Sequence, residues 1–534
     1  MRTTYLLVPT RSLPPFSELE PSTIMSWSGR ALLTLVSAFC TAIAAHCIVK
    51  VLRYALRPYF SPVRHVRGPE SKSLLYGNLL DLFEYDDGDM HEQWRAEYGD
   101  VYKYKGFCNS PAFGSSHIRE LTEIFIEKSA QLRDIWTAEI AKSVVGGSVG
   151  NKAKIDVSAW LNKTTLDIIG LAGFNYAFDA LNPDDTPNEL NQSIRTVLHD
   201  PRGFRDVLPM LQALFPPLRV IPSKRGRIVA AAKETMTRVG KQLLAEKKAA
   251  VLASANADIS SSMRKGNSEQ MMVGKKSVQG RDLLSLLVKA NMATDLPEGY
   301  RMDDEDVLAQ VPTFLVAGHE TTSTAVTWAL LALSTHPAMQ VKLRAELLSI
   351  PTLVPSMDEL NALSYLDAVV REVLRVYSPV PSMVRVATRE DVIPLQKAWV
   401  DGRGVRSVNV RVRKGDMLDV PIMAINRAKE LWGEDAQEFR PERWENPPEA
   451  ILSIPGVWGN NLAFSGGSRA CIGYRFSVIE IKALLFVLVR SFQFELAVPP
   501  TDVKVKVSAV RRPILASDRE KGTQLPLWVS VIRD

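Results

Sequence analysis

Cysteine is scarce in this chain: Cys40, Cys47, Cys108 and Cys471 are the only four in 534 residues. None has CxxC spacing, and two of them sit inside one apolar stretch. Neither a disulfide framework nor a zinc site is expected from such spacing, and a reducing compartment fits better. Flavin and nicotinamide fingerprints are missing as well, so any electrons must be supplied by another protein. Internal repeats are absent. Positive charge is in modest excess, with a net charge of +6 and a pI near 8.9. Much of that excess flanks one apolar segment, so nucleic acid is not implied as a partner. What remains is an ordinary globular composition, 46% hydrophobic, with ample chain for a large core.

Ala31 to Val49 carries no formal charge and is long enough to cross a bilayer core as a helix. Arg30 precedes it, while Lys50, Arg53, Arg57, Arg64 and Arg67 follow. The positive-inside rule then places the C-terminal part in the cytosol. The expected organisation is a leader over 1–30, a transmembrane signal anchor over 31–49 and a basic, Pro-bearing linker over 50–69. A cleaved signal peptide is the rival reading, since small residues near Ala44 and Ala45 offer a cut site.

The rest, 70–534, reads as one mainly α domain with a small β region. Amphipathic or apolar patterns predict helices over Ile118–Ile140, Ala159–Gly173, Asp304–Thr335 and Phe476–Val489. Short strands are expected at Val101–Lys105, Val408–Val412, Leu418–Val420 and Leu527–Ile532. Ser260–Gly280, rich in Ser, Gly, Lys and Met, reads as a surface loop.

The most specific segment is Phe464-Ser-Gly-Gly-Ser-Arg-Ala-Cys471-Ile-Gly473, directly before an apolar helix. A metal-bound thiolate needs close backbone approach, and Gly466, Gly467 and Gly473 permit turns that a Cβ would block. Amide N–H groups at the start of the following helix can stabilise sulfur charge. Arg469 is placed to pair with a cofactor carboxylate. Phe464 can keep water from the sulfur. A plain glycine turn holding a core cysteine is the bland alternative.

Two further patterns carry chemistry. Glu372 and Arg375 share one helix face, though such pairs are commonly solvated. Ala317-Gly318-His319-Glu320-Thr321-Thr322 puts a small residue and an acid–alcohol pair inside the long helix. Thr321 offers a hydroxyl that can distort the local helix, and Glu320 beside Thr321 makes an acid–alcohol pair able to relay protons. A Gly/Thr patch for close helix packing is the alternative. His319-Glu320 begins HExxH, but Ser323 occupies the fifth position, which excludes a zinc protease. His319 is read as structural.

At every fixed position FSGGSRACIG resembles FxxGxRxCxG, the haem-binding signature of cytochrome P450 enzymes. The resemblance runs from about Gly68 to the C-terminus and implies the prism-shaped, mainly α monooxygenase fold. It implies haem b ligated by Cys471, with Phe464, Arg469, Gly466 and Gly473 around it. Glu372, Arg375 and Arg443, the last in Phe439-Arg-Pro-Glu-Arg443, are similar to that family's buried support triad. Arg385 resembles its second propionate-binding arginine, a surface strand position being the other reading. Gly318, Glu320 and Thr321 match its oxygen-activating motif. The partners so implied are O₂, an NADPH–cytochrome P450 reductase and an apolar small molecule. Phe314, Ala317, the Val380–Val384 turn and the hairpin near Leu515–Leu525 are expected to line the pocket. The wording resembles fungal microsomal members, which implies a terpenoid-like secondary metabolite and a single-pass protein of the endoplasmic reticulum membrane.

One departure stands out. Phe107-Cys-Asn-Ser110 runs straight into Pro111-Ala-Phe-Gly, which resembles the segment after the family's helix C. On the order of fifty residues of the family pattern have no counterpart there, beyond ordinary loop variation. They would carry a Trp/Arg propionate contact and one pocket wall. An active monooxygenase, an impaired haem protein or incomplete gene model, and a peroxygenase or isomerase on the same haem are therefore all carried forward.

Overall fold

The computed structural model describes residues 115–145, 151–182, 188–198, 224–264, 282–292, 304–400, 404, 406–507 and 510–532. All belong to the unit Asn109–Asp534. The leader, the anchor, the linker, the strand expected at Val101–Lys105 and the departure near 107–111 lie outside the described residues. Among the described residues no helix is long and apolar enough to cross a membrane.

The helices of the first half are α1 (Ser115–Val145), α2 (Val157–Phe174), α3 (Glu189–Leu198), α4 (Lys224–Arg264), α5 (Leu283–Met292) and α6 (Asp304–Thr335). They continue with α7 (Pro337–Leu348), α8 (Met357–Ala362), α9 (Ser364–Tyr377), α10 (Ile422–Asn426), α11 (Lys429–Trp432) and α12 (Tyr474–Ser491). The four helices expected from the apolar pattern are all present, and α6 has the predicted limits. Asp304, Glu305 and Asp306 open it, where carboxylates suit the positive end of the helix dipole. Residues 260–264 are a correction: they finish helix α4 instead of starting a loop. The remainder of that expected loop lies outside the described residues.

Among the described residues, nine short strands form four small sheets. β1 (Lys152–Asp156), β9 (Pro526–Val531) and β6 (Phe492–Leu496) make an antiparallel sheet in the order β1-β9-β6. Ile155 faces Leu527 and Phe494 faces Val529. Alternate residues point inward, so Ala153, Ile155, Phe492, Phe494, Leu527 and Val529 are buried. Trp136 of α1 packs on Phe492 and Phe494, with ring centroids 5.8 and 6.3 Å away. β2 (Met383–Val386) pairs with β5 (Met417–Val420), β3 (Asp391–Val400) with β4 (Arg406–Val412), and β7 (Val503–Val507) with β8 (Arg511–Leu515).

α12 runs through the core, buried from Val478 to Val489. Two charged residues lie within that buried stretch. Lys482 Nζ pairs with Asp367 at 2.7 Å and donates to Asn361 Oδ1 at 3.0 Å. Glu480 has no such partner: both carboxyl oxygens lack a well-formed hydrogen bond. Burial pushes its carboxyl well above the usual range, and the Thr322 hydroxyl opposes that only in part. The folded state thus holds a proton that the unfolded chain releases. Stability contributed this way is complete below the ordinary glutamate range and is lost as pH rises through it toward the folded value. Glu480→Gln should therefore flatten the pH dependence of the melting temperature. At mildly alkaline pH the variant should be the more stable, because glutamine has no charge to gain when the chain unfolds. Parallel melting-versus-pH curves for wild type and variant would assign the slope elsewhere.

Candidate functional site

The cysteine loop is shaped by close backbone approaches. A Cβ on Gly466 would stand 1.8 Å from the Pro455 carbonyl oxygen, so no other residue fits there. Ser465 and Gly467 both take left-handed backbone, with φ of 58° and 72°. Backbone hydrogen bonds tie the loop, among them Cys471 N–H to Phe464 O at 2.8 Å and Val457 N–H to Ser465 O at 3.0 Å. Phe464 is buried, its ring edge-on to Trp458 at 5.8 Å and tilted against Tyr474 at 6.1 Å.

Cys471 opens into a cavity of about 230 Å³ whose wall also includes Phe464, Arg469, Gly473, Gly318 and Thr321. The residue counts as exposed because the cavity is open, yet its thiol is recessed among protein atoms. Burial raises the thiol above its ordinary range, and the Gly473 N–H, aimed at sulfur, opposes that shift. Ile169, Phe314, Ala317, Val380, Met383 and Ile422 supply apolar walls. Of the expected lining residues, Phe314, Ala317 and, from the turn, Val380 and Met383 are on the wall. The hairpin residues Leu515–Leu525 are not among those lining it.

Behind the loop, Glu372 and Arg375 are fully buried and Arg443 nearly so. Glu372 binds Arg375 through both oxygens, at 2.8 and 2.9 Å, and meets Arg443 Nε at 3.4 Å. It also accepts from Arg440 N–H and Trp444 Nε1, each at 3.0 Å. Arg375 donates onward to the carbonyls of Asn426, Ala436 and Glu438. Arg443 reaches Asp435 Oδ1 at 2.6 Å and Trp432 O at 2.9 Å. Asn426, which sequence reasoning missed, accepts from Leu462 N–H at 2.8 Å and so links this network to the cysteine loop. Its only sequence signal is an isolated polar residue in an apolar run.

The helix opposite Cys471 differs from expectation in two respects. Gly318 touches the cavity, but a Cβ there would be 2.8 Å from the Ile169 side chain. The glycine thus lets α2 pack closely on α6, beyond any room it leaves in the cavity. Glu320 is buried away from the cavity wall, its Oε2 accepting from Arg512 Nη2 of β8 at 2.6 Å. Thr321 is on the wall and donates its hydroxyl proton to Ala317 O at 2.7 Å. His319 is buried, with Nδ1 2.6 Å from Leu315 O, in keeping with a structural role. Arg385 is exposed on β2, donates to Val384 O at 3.1 Å and is not on the cavity wall.

A soft sulfur donor, a nearby guanidinium and broad apolar walls fit a haem with carboxylate side arms. Among the described residues no cluster of His, Cys, Asp and Glu offers an alternative metal site. Comparison with known proteins gives the same answer. A family model described as "Cytochrome P450" matches residues 94–515. The chain is 47% identical to cytochrome P450 monooxygenase 205 of Postia placenta, covering 93% of this chain and 98% of that one. Cytochrome P450 monooxygenase 128 of the same fungus is 45% identical, covering 90% and 95%. Cytochrome P450 monooxygenase claO of Ampulloclitocybe clavipes is 31% identical, covering 87% and 92%. The match with the first runs over 554 residues, longer than this 534-residue chain, so that relative has positions this chain lacks. A crystal structure of a cytochrome P450 (CYP102L1), 24% identical, shares the fold with a TM-score of 0.59 over 79% of this chain and 80% of that one. The chain therefore belongs to the cytochrome P450 family, as an oxidoreductase of the monooxygenase kind whose cofactor is haem b held by a cysteine thiolate.

Proposed function

We propose that Cys471 supplies that thiolate and that the chain hydroxylates an apolar small molecule of terpenoid-like, secondary-metabolite type. Electrons would come from an NADPH–cytochrome P450 reductase. In this reading Ala31–Val49 anchors the protein in the endoplasmic reticulum membrane, with the catalytic domain in the cytosol. The observation that carries the substrate class is the cavity itself, in which Cys471 and Arg469 face walls of Ile169, Phe314, Val380 and Ile422. Apolar walls recognise by shape and burial, so a substrate with few polar groups suits them.

Haem, when bound, supplies dioxygen activation and accepts electrons one at a time. The residues of the chain do the rest. Phe464 and its aromatic neighbours keep water from the sulfur side. Arg469 is placed for a propionate. Thr321 controls protons at its Oγ1: in the resting arrangement that hydroxyl is held by Ala317 O, and turning it frees a donor at the cavity wall. Glu320 can feed it only after parting from Arg512, so the ion pair limits proton supply. Thr321→Ala should lower product formation roughly a hundredfold while NADPH oxidation continues, because protons then arrive unguided. Unchanged product per NADPH would remove Thr321 from this role.

The test of the whole reading is turnover of apolar terpenoids by the full-length chain. Reductase with NADPH should support hydroxylation and hydrogen peroxide alone should not. Equal rates with peroxide alone would replace the reading with a peroxygenase. A second reading, a haem-binding chain with impaired turnover, is favoured by the extra positions of the 47% identical relative. We place those positions between Phe107 and Pro111. In that case the transcript would read directly across Lys105–Phe113, and haem would bind without product forming.

A further inference from the structure

Beyond the cavity wall, two arginines carry charge that no carboxylate among the described residues pairs with. Arg511 opens β8 and is 9% exposed, while Arg427 follows α10 and is half-buried. Both are fixed to the C-terminal end of α9. Arg427 Nη2 donates to Val376 O, and Arg511 N–H donates to Pro379 O at 2.8 Å. Aromatic rings complete the enclosure. Trp328 donates from Nε1 to Arg511 O at 3.0 Å and lies under that guanidinium, 5.5 Å from its ring centre. Tyr377 stacks on Trp328 at 5.5 Å with the rings within 5° of parallel.

Hydrogen bonding around the two cations is incomplete. Arg427 Nε and Arg511 Nη1 are both buried and have no hydrogen-bond partner among the described residues. Burial, then repulsion from Arg511, pulls the Arg427 guanidinium down to about 10, so it stays charged at neutral pH. Burial lowers Arg511 as well. Glu372 acts on the neighbouring Tyr377 but is already committed to Arg375, Arg443, Arg440 N–H and Trp444. The end of α9 offers about half a negative charge, short of the two positive ones. Burying cations without a counter-charge is costly, and an orphaned buried N–H usually marks a bound water or ion.

We infer that Arg427 and Arg511, beside Tyr377, bind a small monovalent inorganic anion of the chloride class. Two orphaned N–H groups suit a small ion, whereas a phosphate would bring more acceptors than these donors can satisfy. None of the three residues lines the haem cavity, so the site is separate from it. Pro379 and Val380 do line it, so a bound anion braces one cavity wall from behind.

Thermal unfolding of the full-length holoenzyme in sodium chloride, against sodium gluconate at equal ionic strength, tests this. Chloride should raise the melting temperature in a saturable way, by about 2 °C. Arg427→Gln should lose the saturable part. Identical melting in the two salts, or an unchanged chloride response in the variant, would overturn the site. Should Arg427→Gln not fold, bromide-soaked crystals of the wild-type holoenzyme decide the matter. An anomalous peak within hydrogen-bond reach of Arg427 Nε and Arg511 Nη1 is expected. Bromide at the surface only, or water in that position, would refute the proposal.

Discussion

Arg375→Leu should yield no soluble, haem-loaded protein. The substitution strands Glu372, a fully buried carboxylate, with only Arg443 Nε at 3.4 Å as a cationic contact. Removing one partner of a buried ion pair costs about 3–5 kcal/mol. The carbonyls of Asn426, Ala436 and Glu438 lose their donor in the same step, and each orphaned group adds about 1–3 kcal/mol. Against a typical total stability of about 5–15 kcal/mol, that sum removes the fold. Arg375→Lys restores the charge but not the planar fork that serves Glu372 and three carbonyls together. It should fold partially, with less bound haem and a lower melting temperature. Soluble yield, haem-to-protein ratio and thermal unfolding check both variants. Wild-type melting in Arg375→Leu would show that the network does not hold the domain together.

Cys471→Ala should behave in the opposite way, keeping the fold and losing the chemistry. The side chain faces the cavity, while the loop is held by backbone bonds from Cys471 N–H to Phe464 O and from Val457 N–H to Ser465 O. Neither bond needs sulfur. Gly466 and Gly467 retain their backbone roles too. Far-ultraviolet circular dichroism should match wild type, and haem should bind weakly or wash out on a column. Turnover should fall by about a thousandfold or more, which corresponds to about 4 kcal/mol of barrier. Retained turnover with an intact fold would mean that another residue ligates the iron. Together the two variants separate the support network from the site it supports.

How much of this was legible in the sequence depended on whether a feature is local. The limits of Asp304–Thr335 follow from three acids at its start and a long apolar run, both visible in one window. The cysteine loop was legible for the same reason, since its glycines, arginine and cysteine are contiguous. Helix Lys224–Arg264 escaped prediction because lysines, alanines and serines along it leave no sustained apolar stripe. Non-local pairings were not legible. Nothing near Glu320 announces Arg512, which comes from a strand close to the C-terminus. Ile169, the residue that packs closely against Gly318, belongs to a different helix. Trp444 and Asp435 complete the Glu372 and Arg443 contacts, yet in sequence they look like ordinary surface residues. Arg385 shows the converse: its sequence spacing matches a propionate ligand, while its side chain is exposed on β2 and bonded to its neighbour's carbonyl.

Glu320 and Arg512 bridge α6 and β8, and the backbone of Arg511 next in line is bonded to Pro379 at the cavity wall.

The central claim is that Cys471, as its thiolate, holds haem iron in this chain as it stands. The most direct test is the difference spectrum of the full-length expressed protein, reduced and bound to carbon monoxide. The account predicts a Soret band in the strongly red-shifted position of thiolate-ligated haem, lost in Cys471→Ala. A band at the position of histidine-ligated haem, or no haem band at all, would contradict it.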